Sequence, residues 1–264
     1  MLYNHIKRNQ KMKNRQPFSC KRDTFTIRGD LYGADTDHPK PAVIFSHGFL
    51  ANRKMCEGYA QLLASVGFVT AVYDFCGGGL GVKSDGRSED MTVLTEKEDL
   101  HAVYTYLSEQ NFVRKDSISL LGCSQGGFVS ALFAAEHPEL VSKLILFYPA
   151  LCIPDDARKG HMMFFHFDPA HIPQLLGRIP MKLGGEYARC VINMDPFEEI
   201  SGYEGPVLLL HGTEDDIVDI SYAERAASVY QNCTFAVIEG GGHMFRGRHD
   251  EKAKEILKNF MKLQ

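Results

Sequence analysis

The sequence predicts an α/β protein built on a mostly parallel sheet with helices on both faces. Three observations carry this. Short apolar runs alternate along the chain with stretches of helical length and helical end signals. The runs are continuously apolar rather than alternating, as strands covered on both sides should be. A length of 264 residues, 44% of them hydrophobic, suffices for one large domain with a sizeable core.

Each element has its own signal. The first 22 residues are basic and aperiodic, with seven Lys/Arg and no Asp/Glu, and read as a mobile tail ahead of a single folded unit over 23–264. Strand-like runs follow near 24–28 and 31–32. Residues 42–46 (AVIFS) read as a buried strand ended by Gly48. Residues 56–66 read as a helix stopped by Gly67, and 69–73 as another buried strand. Thr95 and Glu98 have the spacing of a capping box, which opens a helix to about residue 109. Residues 118–121 are strand, and 125–136 are helix, stopped before Pro138. Runs at 144–148, 207–210 and 235–238 give three more strands, and a last helix spans about 250–263. Residues 151–204 break the alternation, being rich in Pro, Gly, Met, His and Phe and without a period. A connection that long is usually functional and is read as an insertion over one end of the sheet.

The net charge of −4 hides an uneven distribution: beyond residue 22 there are 22 basic and 33 acidic residues, a net of −11. An acidic body disfavours nucleic acid as a partner. No apolar run approaches the roughly 20 residues of a membrane span, so no membrane association is expected. Seven scattered cysteines without a Cys-x-x-Cys pair suggest neither zinc nor a disulfide framework, and point to a reducing cytoplasm. The N-terminus lacks the apolar core of a secretory signal.

The strongest chemical signal is Gly122-Cys123-Ser124-Gln125-Gly126, a G-x-S-x-G motif between a strand and a helix. Side chains at the flanking glycines would collide with neighbouring elements, and the sharp turn projects Ser124 Oγ at a helix N-terminus, where developing negative charge is favoured. Cys123 is expected to pack beneath the turn. A serine hydroxyl needs a base within hydrogen-bond reach, and the base needs an orienting acid, in the chain order Ser, acid, His. His243, on the glycine-rich loop after the run at 235–238, is the expected base, whereas His249 belongs with the last helix. Glu214, Asp215 and Asp216 are consecutive after another strand, and the residues alone leave the acid open among them. The backbone N–H groups of Phe49 and Gln125 are the expected oxyanion donors. His47 is read as a structural histidine bonding the loop backbone. Gly77–Gly81 lacks the spacing of a phosphate loop and reads as a mobile loop beside the pocket. His161, His166 and His171 recur every five residues, which does not stack them on one helix face, so no metal is expected.

These segments together resemble the α/β-hydrolase family, and within it the small bacterial cinnamoyl and feruloyl esterases. The resemblance covers roughly residues 23–262 and rests on His47-Gly48-Phe49 with Ala51-Asn52-Arg53, Tyr73-Asp74-Phe75, Met91-Thr92-Val93-Leu94, Ser124-Gln125-Gly126-Gly127, His211-Gly212-Thr213 with Asp215 and Val218, and Glu239-Gly240 with His243 and Phe245. It implies an eight-stranded α/β-hydrolase sheet, a cap formed by about residues 151–204, and Asp215 as the acid, with Asp216 the alternative. It also implies that Asp156, beside Asp155, meets a phenolic hydroxyl of the substrate. Met162 and Phe165, with Met163, Phe164 and Phe167, are expected to bury the cap, to line an acyl or aryl pocket, or to do both. Two positions depart from the family: Cys123 stands where His is frequent, and the loop after Asp74 is longer. The expected function is a cofactor-free serine carboxylesterase for small to medium esters, including hydroxycinnamoyl esters, whose partner is the small-molecule ester and for which a homodimer is left open. A serine peptidase of the same superfamily and a non-catalytic binding scaffold are the alternatives.

Overall fold

The computed structural model describes residues 15–262. Eight strands form one sheet: β1 (Arg15–Arg22), β2 (Phe25–Tyr32), β3 (Lys40–Ser46), β4 (Val69–Asp74), β5 (Val113–Cys123), β6 (Leu144–Phe147), β7 (Val207–Gly212) and β8 (Cys233–Ile238). Their order is β1-β2-β4-β3-β5-β6-β7-β8. The first three in that order pair antiparallel, and the rest run parallel. Helices α1 (Glu57–Ser65) and α5 (Arg248–Lys262) pack on one face. Helices α2 (Val93–Ser108), α3 (Gln125–Glu136) and α4 (Ile220–Val229) pack on the other. The central strands β3, β4, β6 and β7 are buried along nearly their whole length, which is why their sequences are continuously apolar.

The sheet begins earlier than the sequence suggests. Arg15–Arg22 is an edge strand paired along its length with β2, not part of a tail. Only Phe18 of this strand is fully buried, so exposed polar residues conceal the strand pattern. Its basic residues also have internal partners: Arg15 lies 2.9 Å from Asp30, and Arg22 lies 2.8 Å from the buried Asp99. The remainder of the expected tail, residues 1–14, lies outside the described residues.

Two helix starts also differ. The capping box of α2 is Thr92 with Thr95, whose hydroxyls accept from each other's backbone N–H at 3.1 and 2.9 Å. Glu98 sits a turn further in and is exposed. Helix α4 has no counterpart in the sequence reading; Asp219 caps it by accepting from the Ser221 N–H at 2.9 Å.

Residues 151–204 form a layer of short pieces over the carboxyl ends of the strands. Helical turns at Ile153–Arg158, Glu186–Arg189 and Pro196–Glu199 are joined by two small antiparallel ladders, His161–Met162 with Phe165–His166 and Leu175–Gly177 with Leu183–Gly184. Leu151, Leu183, Val191 and Ile200 are fully buried and anchor the layer. Among the described residues no helix is long and apolar enough to cross a membrane.

Candidate active site

Ser124 sits between β5 and α3 at φ 54°, ψ −122°, a backbone conformation that non-glycine residues adopt only under constraint. The flanking glycines remove the obstacles to that turn. A Cβ at Gly122 would lie 2.1 Å from the Gly126 carbonyl oxygen, and one at Gly126 would lie 2.4 Å from the oxygens of Ser46 and His47. The turn is therefore tight against β3, and the Ser124 hydroxyl stands above the sheet with its residue 8% exposed. Cys123 is buried beneath it, as expected.

The loops after β7 and β8 bring the other two groups to that hydroxyl. His243 Nε2 lies 3.0 Å from Ser124 Oγ, and His243 Nδ1 lies 2.8 Å from Asp215 Oδ2. The loops are joined to each other: Glu214 N–H donates to the Gly241 carbonyl at 2.8 Å, and Gly240 N–H donates to the Thr213 hydroxyl at 2.9 Å. Phe245 anchors the histidine loop in the core, and Tyr148 packs on the imidazole with ring centroids 4.7 Å apart. Asp215 Oδ1 accepts from the Ile217 and Val218 N–H groups at 3.0 and 2.9 Å. His211 Nε2 donates to the Val218 carbonyl at 2.8 Å and lies 3.3 Å from Asp215 Oδ2. Burial pulls the Asp215 pKa upward, but the hydrogen bonds from His211, His243 and Val218 outweigh it and hold the carboxyl well below the usual range. Asp216 is exposed, faces a cavity and bonds neither histidine, while Glu214 is exposed as well.

Phe49, Ser124 and Gln125 line one cavity. The Gln125 N–H is at the first position of α3, where no intrahelical acceptor exists. Among the described residues the Phe49 N–H has no acceptor either. The loop carrying Phe49 is clamped from below. Arg53 donates to Asp30 at 2.6 Å and to the buried Asp74, and its own N–H donates to Asp74 at 2.8 Å. The Gly77–Gly81 segment is the second clamp, its first half packed against the Phe49 loop. Leu80 N–H donates to the Leu50 carbonyl at 3.2 Å, and residues 77 and 78 are buried. At Gly79 a Cβ would fall 1.7 Å from the Ala51 carbonyl oxygen, so the two backbones touch. His47 bonds loop backbone as expected: its Nε2 accepts from the Phe75 N–H at 3.1 Å, which leaves Nδ1–H to donate to the Gly48 carbonyl at 2.9 Å.

Two cavities meet at Ser124. The narrower, of about 40 Å³, runs under the cap and is lined by Phe49, Gln125, Cys152, Asp156, Met162, Leu183 and Tyr187, among others. The wider, of about 440 Å³, opens on the other side between Leu50, Ala51, Met55, Met163, Ile217, His243 and Met244. Of the cap residues singled out in the sequence, Asp156 and Met162 line the narrower cavity, and Met163 borders both. Phe165 does not reach either one: it is buried in the core, pairs with Met162 across the small ladder and packs against Gly177. Asp156 Oδ1 lies 3.1 Å from His161 Nε2; burial pushes its pKa up and His161 opposes that. His171 instead bonds Asp168 at 2.8 Å, and among the described residues no group of three or more ligating side chains could hold a metal.

The profile of the family described as serine aminopeptidase, S33, matches residues 37–183, more than half the chain. The chain belongs to that family. Its fold is that of the α/β-hydrolases, and its relatives are esterase- and lipase-like. The solved structure of Est1E from Butyrivibrio proteoclasticus with ferulic acid bound superposes with a TM-score of 0.85 at 29% identity, covering 92% of this chain and 97% of that one. Monoacylglycerol lipase abhd6-A of Xenopus laevis is 24% identical over 84% of this chain and 75% of its own length. The uncharacterized peptidase YtmA of Bacillus subtilis is 30% identical over 61% of this chain and 57% of its own length.

This hydrolase carries polar residues at the site that the sequence reading missed. The Gln125 side chain donates to the buried Glu96 at 2.7 Å and accepts from the Tyr187 hydroxyl. The side chain of this residue, whose N–H is an expected oxyanion donor, is thereby fixed at both ends. Burial raises the Glu96 pKa well above the usual carboxylate range, only partly offset by Gln125. The signal was present in the sequence: Glu96 and Asp99 fall on the apolar face of α2 with Val93, Leu100 and Val103. Carboxylates on a buried stripe require partners. Tyr187 and His211 carry no such signal, since an aromatic residue in the cap or a histidine ending a strand is ordinary.

Proposed function

We propose that the protein is a serine carboxylesterase working through Ser124, His243 and Asp215. The observation that supports this most directly is the single imidazole bridging Ser124 Oγ at 3.0 Å and Asp215 Oδ2 at 2.8 Å. Asp215, held ionised by its donors, keeps the proton of neutral His243 on Nδ1, so Nε2 is free to take the Ser124 proton. Ser124 Oγ then attacks the ester carbonyl carbon. The oxyanion develops between the Phe49 and Gln125 N–H groups, and each such donor is worth about 3 kcal/mol in related sites. His243 returns the proton to the leaving alcohol, and the same base then activates water to release the acid from Ser124.

For the acyl group we propose a flat hydroxycinnamoyl-type acid in the narrower cavity, its polar end towards Asp156. Two observations support this reading: the likeness to Est1E with ferulic acid bound, and the placement of Asp156 and Met162 in that cavity. A cavity of about 40 Å³ holds only a few waters, so such an acyl group must displace Met162 and Met163. Thioether side chains repack at low cost.

The test is turnover of a p-nitrophenyl ester together with labelling by a fluorophosphonate. Ser124→Ala should abolish both while leaving thermal unfolding in place. Turnover at the wild-type rate in that variant sinks the mechanism. Cleavage of aminoacyl nitroanilides without ester cleavage would replace the esterase reading by a peptidase one, which the family's description and the YtmA match support.

A further inference from the structure

We propose that the wider cavity is the leaving-group site and that it selects esters of apolar, uncharged alcohols of several carbons over esters of polyols or of anionic alcohols. This rests on the serine-esterase reading above and adds the alcohol half of the substrate to it.

The assignment of the two cavities follows from where the proton must go. In acylation Ser124 Oγ bonds to the acyl carbon, the bond from that carbon to the alcohol oxygen breaks, and the proton held on His243 Nε2 moves to the departing oxygen. The alcohol must therefore lie against His243. Only the wider of the two cavities at Ser124 is lined by His243; the narrower is lined by Gln125 and the cap instead. The acyl chain goes under the cap, and the alcohol goes to the open side.

The lining then sets the class of alcohol. Leu50, Met55, Met163, Ile217 and Met244 supply its apolar walls. No Lys or Arg lines it, and besides His243 its one ionisable side chain is Asp216, which would repel an anionic alcohol. A polyol would lose water there with few side-chain partners to replace it. The rim tells the same way. Of the eight large apolar side chains that are well exposed among the described residues, three border this cavity: Met244 at 40%, which lines this cavity only, and Met163 at 40% and Ile217 at 45%, which it shares with the narrower one. Exposed apolar side chains gathered at one groove mark a binding surface rather than scattered surface residues.

The experiment uses one acyl group, a hydroxycinnamoyl or an acetyl, and varies the alcohol: methyl, propyl, butyl, pentyl and hexyl, then glycerol and a carboxylate-bearing alcohol. The readout is kcat/KM, since all members share the same acyl-enzyme. Full burial of a methylene is worth roughly fourfold, and a groove open on one side about half that free energy, so kcat/KM should rise about twofold per methylene. In Met55→Gln the hexyl-to-methyl ratio should fall several-fold, a ratio that is insensitive to how much of the variant folds. A flat or falling series, or a preference for glycerol or the carboxylate-bearing alcohol, overturns the proposal while leaving the esterase intact. A rise that appears only above the solubility limit of the ester overturns it in favour of a lipid-surface site. If no ester of either acyl series is cleaved, the esterase reading itself falls.

Discussion

Replacing Asp215 by Asn should abolish catalysis by reversing one hydrogen bond, and the structure fixes which way the amide must point. Asp215 Oδ1 accepts from two backbone N–H groups, Ile217 and Val218, at 3.0 and 2.9 Å. His243 Nδ1 lies closer to Oδ2, at 2.8 Å, than to Oδ1, at 3.1 Å, and Oδ2 has only the longer approach of His211 Nε2 at 3.3 Å as a competing donor. The amide oxygen of Asn must occupy the Oδ1 position, because turning it the other way would set an NH₂ against two N–H groups. The amide nitrogen then donates to His243 Nδ1. That drives the imidazole proton to Nε2, where it faces Ser124 Oγ and cannot accept the serine proton. A change of this kind in a Ser-His-Asp triad lowers kcat about 10⁴-fold, or about 5 kcal/mol. Asp216→Asn, at an exposed position bonding neither histidine, should change kcat less than threefold on the scale of a rim charge. Stability gives a second readout. The folded-state pKa of Asp215 is depressed, so its ionised form adds stability above the unfolded value near 3.8, and this is lost as pH falls through the folded value. The Asn variant should therefore unfold more readily than wild type at neutral pH, with the gap closing on acidification. Retention of kcat within tenfold in Asp215→Asn, or an equal loss in Asp216→Asn, would refute this reasoning.

Two other substitutions probe the supports of the site. Glu96→Gln keeps an acceptor for the Gln125 side chain and removes a buried acid whose folded-state pKa is raised. The contribution of such an acid is fully present below its unfolded pKa near 4.5 and is lost as pH rises through the folded one. Wild type should therefore lose stability relative to the variant, by at most about 1.4 kcal/mol per pH unit, in urea unfolding as pH rises above about 5. Parallel pH dependences would show that Glu96 does not hold its proton in the folded protein. Gly79→Ala places a methyl group 1.7 Å from the Ala51 oxygen and should push the Phe49 loop out of position, costing about 10²-fold in kcat if one oxyanion donor is lost. Gly58→Ala, inside α1 with open space around it, should keep its activity and gain about 0.5–1 kcal/mol in thermal unfolding.

What was legible in the sequence is what local chemistry fixes. The elbow could be read because two glycines and a serine stand between a buried strand and a helix, and the structure shows the contacts that forbid a Cβ at Gly122 and Gly126. The strand-end loops bearing Asp215 and His243 could be read for the same reason: in a parallel sheet the carboxyl ends of the strands lie on one edge, so residues just past them converge. The choice of Asp215 over Asp216 was not local. It depends on the Ile217 and Val218 N–H groups turning back onto one carboxylate, which only the resemblance could supply. The edge strand β1 was hidden because its charged residues pair with Asp30 and Asp99 from other elements, a reason to be charged that a linear pattern does not show. Residues 151–204 were the least legible stretch. Its pieces are too short for a helical or strand period to develop, and each is held by contacts to the body rather than by its own pattern. Phe165 and Met162 illustrate the limit. They stand three residues apart in one apolar run and pair across one ladder, yet Met162 lines the narrower cavity and Phe165 packs into the core. Sequence therefore locates the reacting atoms well and the substrate's outline poorly, because the triad is set by strand ends and the pocket by how a short insertion settles on them.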